Sequence, residues 1–295
     1  MTNDDALEVK FWGVRGSIPS PGADTAIVGG NTSCVEVNGG GTRLVLDAGS
    51  GLRALGDALM AEGAHRSTVI LLSHVHWDHV MGLPFFTPLY VGGSKITIAA
   101  GPTGVPLRDV LKRQMSAPMF PVDFDGIGAE VSTLELPEEG SLDFGALRVT
   151  IAKLNHPDPV LAFRVSYGGR SVVYATDTEH REGEIDATLV HLCRGADALI
   201  YDAQYTPEEY EGKEGPSRRG WGHSTYAAGA DVARAARVKT LALFHHDPRR
   251  TDEGVADILK RAREVFPHTV AAREGLTMRF ESNRPPTRVA QSIAP

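Results

Sequence analysis

The sequence predicts an α/β protein in which two mixed β-sheets pack together with helices outside. Three observations predict it. Short apolar strands alternate with amphipathic helices along the chain. Both halves run in the same order, strands first and strand–helix alternation after. Each half also contains an apolar strand that ends in histidine, "TVILLSH" and "TLALFHH". Residues 1–282 read as one domain, and "NRPPTRVAQSIAP", 283–295, reads as a flexible tail.

The first strand is "LEVKFWGV" (7–14), followed by the Gly/Pro-rich loop 15–31. Strands "SCVEVNG" and "RLVLDAG" flank the turn "GGGT". "SGLRALGDALMAEG" has helical spacing, with Ser50 as N-cap and Gly63 as stop. "STVILLS" is continuously apolar, so it reads as a buried strand that delivers His74. Strand "KITIAAGP" and helix "LRDVLKRQMS" follow. A strand-rich centre runs from "EVSTLEL" through "LRVTIAKLNH" to the hairpin "LAFRVSYGGRSVVYATD", turned at Gly168-Gly169. The second half alternates again: a helix around 184–194, strand "ALIYDAQ", helix "STYAAGADVARAAR", strand "TLALFHH", helix "DEGVADILKRAREVF" and strand "GLTMRF".

Hydrophobic residues at 42% and charged residues at 23% suit a globular chain of 295 residues with a substantial core. No apolar run is long enough to span a bilayer, and "MTNDDALEVK" is acidic with no hydrophobic segment behind it. The expectation is a cytoplasmic protein without a membrane partner. Cys34 and Cys193 lie far apart and form no CxxC motif, as expected of buried thiols in a reducing compartment. A formal charge of −7 speaks against a broad nucleic-acid-binding face.

The chemistry concentrates at strand ends. "LLSHVHWDHVMG" packs three histidines and an aspartate into 74–79, directly behind "TVILL". His156, Asp177, Asp202 and the pair His245-His246 end other apolar strands. Strand ends are where α/β sheets gather functional side chains. Histidine and carboxylate are the ligand types of zinc and its neighbours, at about 2.0–2.2 Å per bond. His74 and His76 alternate across one residue, so an extended backbone points both to one side. Asp78 and His79 follow after the chain turns, placed to face a second ion. Two ions about 3.5–4 Å apart can clamp an in-line displacement and activate a water between them.

This His-x-His-x-Asp-His pattern resembles the metallo-β-lactamase superfamily, from "FWGVRGS" to "LFHHDP". The resemblance implies a four-layer αββα sandwich with metals at one edge, between the sheets. "GWGHST", followed by a helix and "VKTLALFHH", is similar to the superfamily's phosphodiesterase branch, which includes ribonuclease Z, phosphoribosyl cyclic phosphate phosphodiesterase and cyclic-nucleotide phosphodiesterases. Carried over, the resemblance implies one ion on His74, His76 and His156, and a second on Asp78, His79 and His245, with Asp177 bridging. It makes His223 the acid beside the scissile phosphate and Asp202 the group that orients it, so that His223, Asp78 and Asp202 form the catalytic set. Two divalent ions are expected, zinc first, with manganese or iron(II) as alternatives.

Two departures stand out: Thr176 replaces the glycine that commonly precedes the bridging Asp, and the single late histidine is a pair. The register after "LALF" selects His245, with His246 turned away. Arg218 and Arg219, just before "GWGHST", are candidate phosphate contacts, and His180 is placed to reach the pocket. Trp77 is expected to pack over the site and Arg15 to be structural. The resulting reading is a binuclear phosphodiesterase, a homodimer if like its relatives. Metal-activated water would attack a small, cyclic phosphodiester such as a cyclic nucleotide, with nucleic acid set aside on charge. A ribonuclease Z-like endonuclease is the runner-up, and a metal-binding scaffold without turnover the third reading.

Overall fold

The computed structural model describes residues 5–282; the tail expected at 283–295 lies outside the described residues. The first sheet holds β1 (Ala6–Gly13), β2 (Cys34–Gly39), β3 (Thr42–Leu46), β4 (Ser67–Leu72), β5 (Lys95–Ala100) and β6 (Glu130–Glu135). The second holds β7 (Gly140–Phe144), β8 (Leu147–Leu154), β9 (Val160–Tyr167), β10 (Arg170–Ala175), β11 (Ala198–Asp202), β12 (Thr240–Phe244) and β13 (Thr269–Ala271). The chain then returns, as β14 (Thr277–Glu281), to pair with β1 at the edge of the first sheet. Both sheets are seven-stranded and mixed. In each, an antiparallel stretch (β1-β2-β3, or β7-β8-β9-β10) passes into a parallel one (β3-β4-β5-β6, or β10-β11-β12-β13). That is the common order of the two halves, now visible as hydrogen bonding.

Seven α-helices are described: α1 (Gly51–Ala61), α2 (Trp77–Val80), α3 (Leu107–Gln114), α4 (Ala187–Cys193), α5 (Pro207–Glu211), α6 (Tyr226–Ala235) and α7 (Asp252–Val265). Three apolar clusters define the layers. One lies between the sheets, where Val9, Phe11, Val37 and Leu44 meet Val149, Phe163 and Val165. A second packs α4, α6 and α7 on the outer face of the second sheet through Leu189, Ala233 and Ile258. The third packs α1 and α3 on the first sheet through Leu52, Leu55 and Leu111. Helices outside two packed sheets make the αββα sandwich.

Local chemistry explains most boundaries. At the β9–β10 turn, Tyr167 pairs with Arg170 across Gly168 and Gly169, whose φ values of 59° and 78° suit a type I′ hairpin. Thr206 and Glu209 form a capping box on α5, and Thr225 and Thr251 cap α6 and α7 with their hydroxyls. Ser50 is the N-cap of α1 by position, as expected, but its hydroxyl makes no capping bond: it accepts from the Thr32 amide and donates to Asn31, stitching a loop to the helix start. Cys34 and Cys193 are free and buried, and among the described residues no helix is long and apolar enough to cross a membrane.

Phe163 is fully buried between the sheets. Phe163→Ala should cost about 3–5 kcal/mol through lost transfer energy and a cavity. A denaturant melt reads this directly; a loss below about 1 kcal/mol would contradict its place at the centre of the sandwich.

Candidate metal centre

The two sheets present their polar strand ends to one shared edge. Asp47 follows β3, His74 follows β4, His156 follows β8, Asp177 follows β10, Asp202 closes β11 and His245 follows β12. The loop after β1 joins the sheets there, because Arg15 bridges both Thr32 and His246 through backbone pairing. The Arg15 side chain is wholly buried and donates to the carbonyls of Gly29, Asp247 and Arg250, which makes it a structural clamp.

The ligand atoms of His74, His76 and His156 lie within 4.8 Å of one another, as do those of Asp78, His79, Asp177 and His245. Asp177 faces both groups. Its Oδ1 is 3.8 Å from His74 Nε2, and its Oδ2 is 3.2 Å from His79 Nε2 and 3.3 Å from His245 Nε2. Asp78 Oδ2 lies 3.1 Å from the Nε2 atoms of both His79 and His245, and also accepts from the Ser17 amide at 2.7 Å.

Partners behind the rings set their orientation. His79 Nδ1 donates to Asp47 Oδ2 at 2.8 Å. His245 Nδ1 donates to Gln204 Oε1 at 3.0 Å. Ser73 Oγ donates to Asp47 at 2.8 Å, so its lone pair takes the Nδ1 proton of His74 at 3.1 Å. With Nδ1 protonated in each ring, the Nε2 lone pair is left for the shared space. Gly16 and Gly222 admit the rings closely: a Cβ on Gly16 would meet His245 at 2.5 Å, and one on Gly222 would meet His156 at 2.3 Å.

The electrostatics ask for a cation. Burial drives the His74 pKa well below its ordinary value, so the ring is neutral, as a ligand must be. Burial also opposes charge on His79, yet Asp78, Asp177 and Asp47 outweigh it and raise its pKa well above normal. Three carboxylates around one imidazole draw positive charge into the site. Among the described residues, buried His74 Nε2 and His79 Nε2 have no well-aligned hydrogen-bond partner, although carboxylate oxygens lie 3.1–3.8 Å away. Such atoms are rare unless something else satisfies them, and here they fit a metal.

Asp202 is fully buried and accepts from His223 Nδ1 at 2.9 Å and from the amides of Asp177, Gln204 and Ser224. It therefore fixes His223 and the Asp177 backbone together. Burial lowers the His223 pKa, but Asp202 prevails and raises it to about 9. His246 turns away to the Ala272 carbonyl. Thr176, where a glycine is common, donates its hydroxyl to Asp177 Oδ2 at 2.6 Å.

Other expected contacts lie apart from this cluster. His180 bonds Ser224 Oγ and lies tilted against Tyr210, with ring centroids 4.3 Å apart. Arg219 is ion-paired with Glu182 on the surface, whereas Arg218 lies over the Trp221 ring. Trp77 does not pack over the site: as the first residue of α2 it is 63% exposed. Asp47 and Gln204 were not singled out by the sequence. Asp47 had a signal, because it ends apolar "RLVL" much as Asp177 ends "SVVYA". Gln204 had none.

Comparison with known proteins identifies the family. The family model described as a β-lactamase superfamily domain matches residues 42–246. Ribonuclease Z of Bradyrhizobium sp. is 30% identical, over 91% of this chain and 98% of its own. The crystal structure of human tRNase Z, short form, superposes with a TM-score of 0.63 at 25% identity, covering 92% of this chain and 98% of its own. The metallo-β-lactamase-fold protein YhfI of Bacillus subtilis superposes at 0.71 with 20% identity, covering 93% and 99%. The chain belongs to the β-lactamase superfamily, as a hydrolase of the metallo-β-lactamase fold. Within it, the full-length relatives place the chain with the nucleases and phosphodiesterases. They also correct the setting aside of nucleic acid on charge. A net charge of −7 sums over the whole surface and does not report the field at one mouth.

Asp47→Asn removes the charge behind His79 while keeping shape. It should weaken metal affinity about 10–100-fold with the fold intact. Competition with a chromogenic chelator measures this, and unchanged affinity would show that Asp47 only packs.

Proposed function

We propose that this chain is a binuclear metal-dependent phosphodiesterase, with His74, His76 and His156 holding one divalent ion and Asp78, His79 and His245 the other. The observation that carries the reading is Asp177, whose two oxygens face the two histidine groups separately. The His-rich donor set suits zinc, with manganese or iron(II) as the alternatives. When bound, the ions would supply Lewis acidity and a water ionising near neutral pH. Both sheets build this one site, which supports treating residues 1–282 as a single catalytic domain. Two buried free thiols support a cytoplasmic setting.

The remaining chemistry belongs to the chain itself. Asp202 occupies His223 Nδ1 and holds the ring plane, leaving Nε2 to deliver a proton to a departing alkoxide. Asp202 is thus a positioning residue, and its hold on the Asp177 amide keeps acid and bridging carboxylate in one frame. A carboxylate held behind an imidazole favours the charged ring, the form a general acid needs before it donates.

Two substrate classes fit this chemistry. A small cyclic phosphodiester, such as a cyclic nucleotide, needs only the paired ions and the His223 proton that this site would offer. An RNA phosphodiester is favoured by the relatives called ribonuclease Z. Metal-loaded protein should hydrolyse bis-p-nitrophenyl phosphate. A panel of cyclic nucleotides beside a tRNA precursor then separates the two classes. Turnover of none of these would leave the metal-binding scaffold.

The acid role has its own test. An alkoxide needs a proton as it leaves, whereas p-nitrophenolate departs without one. His223→Ala should keep its metal and lose about 10²–10⁴-fold on an alkyl phosphodiester. The loss on bis-p-nitrophenyl phosphate should be far smaller. Equal losses would contradict the acid role, and loss of metal would make His223 a ligand.

A further inference from the structure

The loop between α5 and α6 carries two adjacent arginines whose environments differ. Arg219 is exposed, lies 5.8 Å from the Tyr210 ring centroid and is neutralised by Glu182. Arg218 is half-buried, with its guanidinium carbon 4.5 Å from the Trp221 ring centroid and 5.7 Å from that of Tyr205. Among the described residues no carboxylate lies within ion-pair distance of it. An aromatic clamp fixes the plane of a guanidinium while leaving its N–H edge open. The protein therefore holds a formal charge in one orientation without neutralising it.

The loop itself is fastened. Glu179 accepts from the Tyr210 hydroxyl at 2.7 Å and from the amides of Gly220 and Gly222 at 2.6 and 2.9 Å. The Arg218 amide donates to the Tyr210 carbonyl, and the Trp221 amide to the Arg218 carbonyl. His223 leaves this same fastened loop, and the Tyr205 ring under Arg218 lies 6.0 Å from the His223 ring. One aromatic ring thus separates the open guanidinium from the proposed acid. Tyr205 also receives Gln204 Nε2, whose Oε1 holds His245, so the clamp is built on the residue that orients a proposed ligand.

We infer that Arg218, and not Arg219, receives a second, unreacting phosphate of the substrate while the scissile phosphate lies at the metal centre. The inference rests on the phosphodiesterase reading and narrows it to substrates with at least two phosphate groups. The planar fork suits two phosphate oxygens, and its prior ordering by the rings reduces what binding must immobilise.

The test compares binding of one and two phosphates by titration calorimetry on metal-loaded protein. 5′-AMP is the single-phosphate probe. ADP and adenosine 3′,5′-bisphosphate are two-phosphate probes of different spacing. At least one of these should bind about tenfold or more tightly than 5′-AMP in the wild type. Arg218→Ala should remove that gain, Arg218→Lys should restore part of it, and Arg219→Ala should leave most of it. Affinity for 5′-AMP serves as the internal reference for metal content and folding in every variant. No gain in the wild type, a gain that survives Arg218→Ala, or an equal loss in Arg219→Ala would overturn the inference. Hydrolysis of bis-p-nitrophenyl phosphate, measured alongside, reports separately on the phosphodiesterase reading. If that substrate is untouched, both fall.

Discussion

Everything at this edge of the sandwich depends on a buried charge arrangement that the protein alone leaves incomplete. Histidines with Nδ1 fixed from behind turn their Nε2 lone pairs toward Asp78 and Asp177, with those rings and both carboxylates buried. Buried carboxylates and buried unpaired nitrogens each carry a desolvation penalty, and the combination is tolerable when a cation completes it. The site is thus a set of donors held ready, and the surrounding structure holds them in register.

That holding is visible in the backbone. Ser17, Asp47, Asp177 and His245 have φ values of 63°, 61°, 51° and 59°, in the left-handed region that side chains other than glycine seldom adopt. Each costs on the order of 1–3 kcal/mol and persists only where packing and hydrogen bonds demand it. All four residues touch or form the cluster: Ser17 through its amide on Asp78, Asp47 behind His79, and Asp177 and His245 within it. The strands end, the chain turns sharply, and the turn aims the side chain. The stable core between the sheets offsets this strain, and the functional edge uses it.

Much of this was legible in the sequence, for physical reasons. A strand covered on both faces must be apolar throughout, so "TVILL" and "LALF" announced themselves, and the ionisable residues behind them stood out. β7 and β13 carry no such signal, because "GSLDF" has no buried residue and Thr269–Ala271 is only three residues long. Strand alternation predicts that His245 and His246 point apart. The structure turns them apart by a different means, since β12 stops at Phe244 and His245 enters the left-handed region. Three-dimensional neighbours were beyond reach. Nothing in the sequence says that Glu182 occupies Arg219, that Tyr205 and Trp221 hold Arg218, or that Ser224 takes His180.

The two sheets, the left-handed turns and the carboxylates behind the rings converge on one claim, that two ions sit on either side of Asp177. Anomalous diffraction from crystals grown with zinc measures this most directly. Two peaks flanking the Asp177 carboxylate are predicted, one against His74, His76 and His156, the other against Asp78, His79 and His245. A single peak at full occupancy, or a peak held by His223 and Asp202 in place of either, would contradict it.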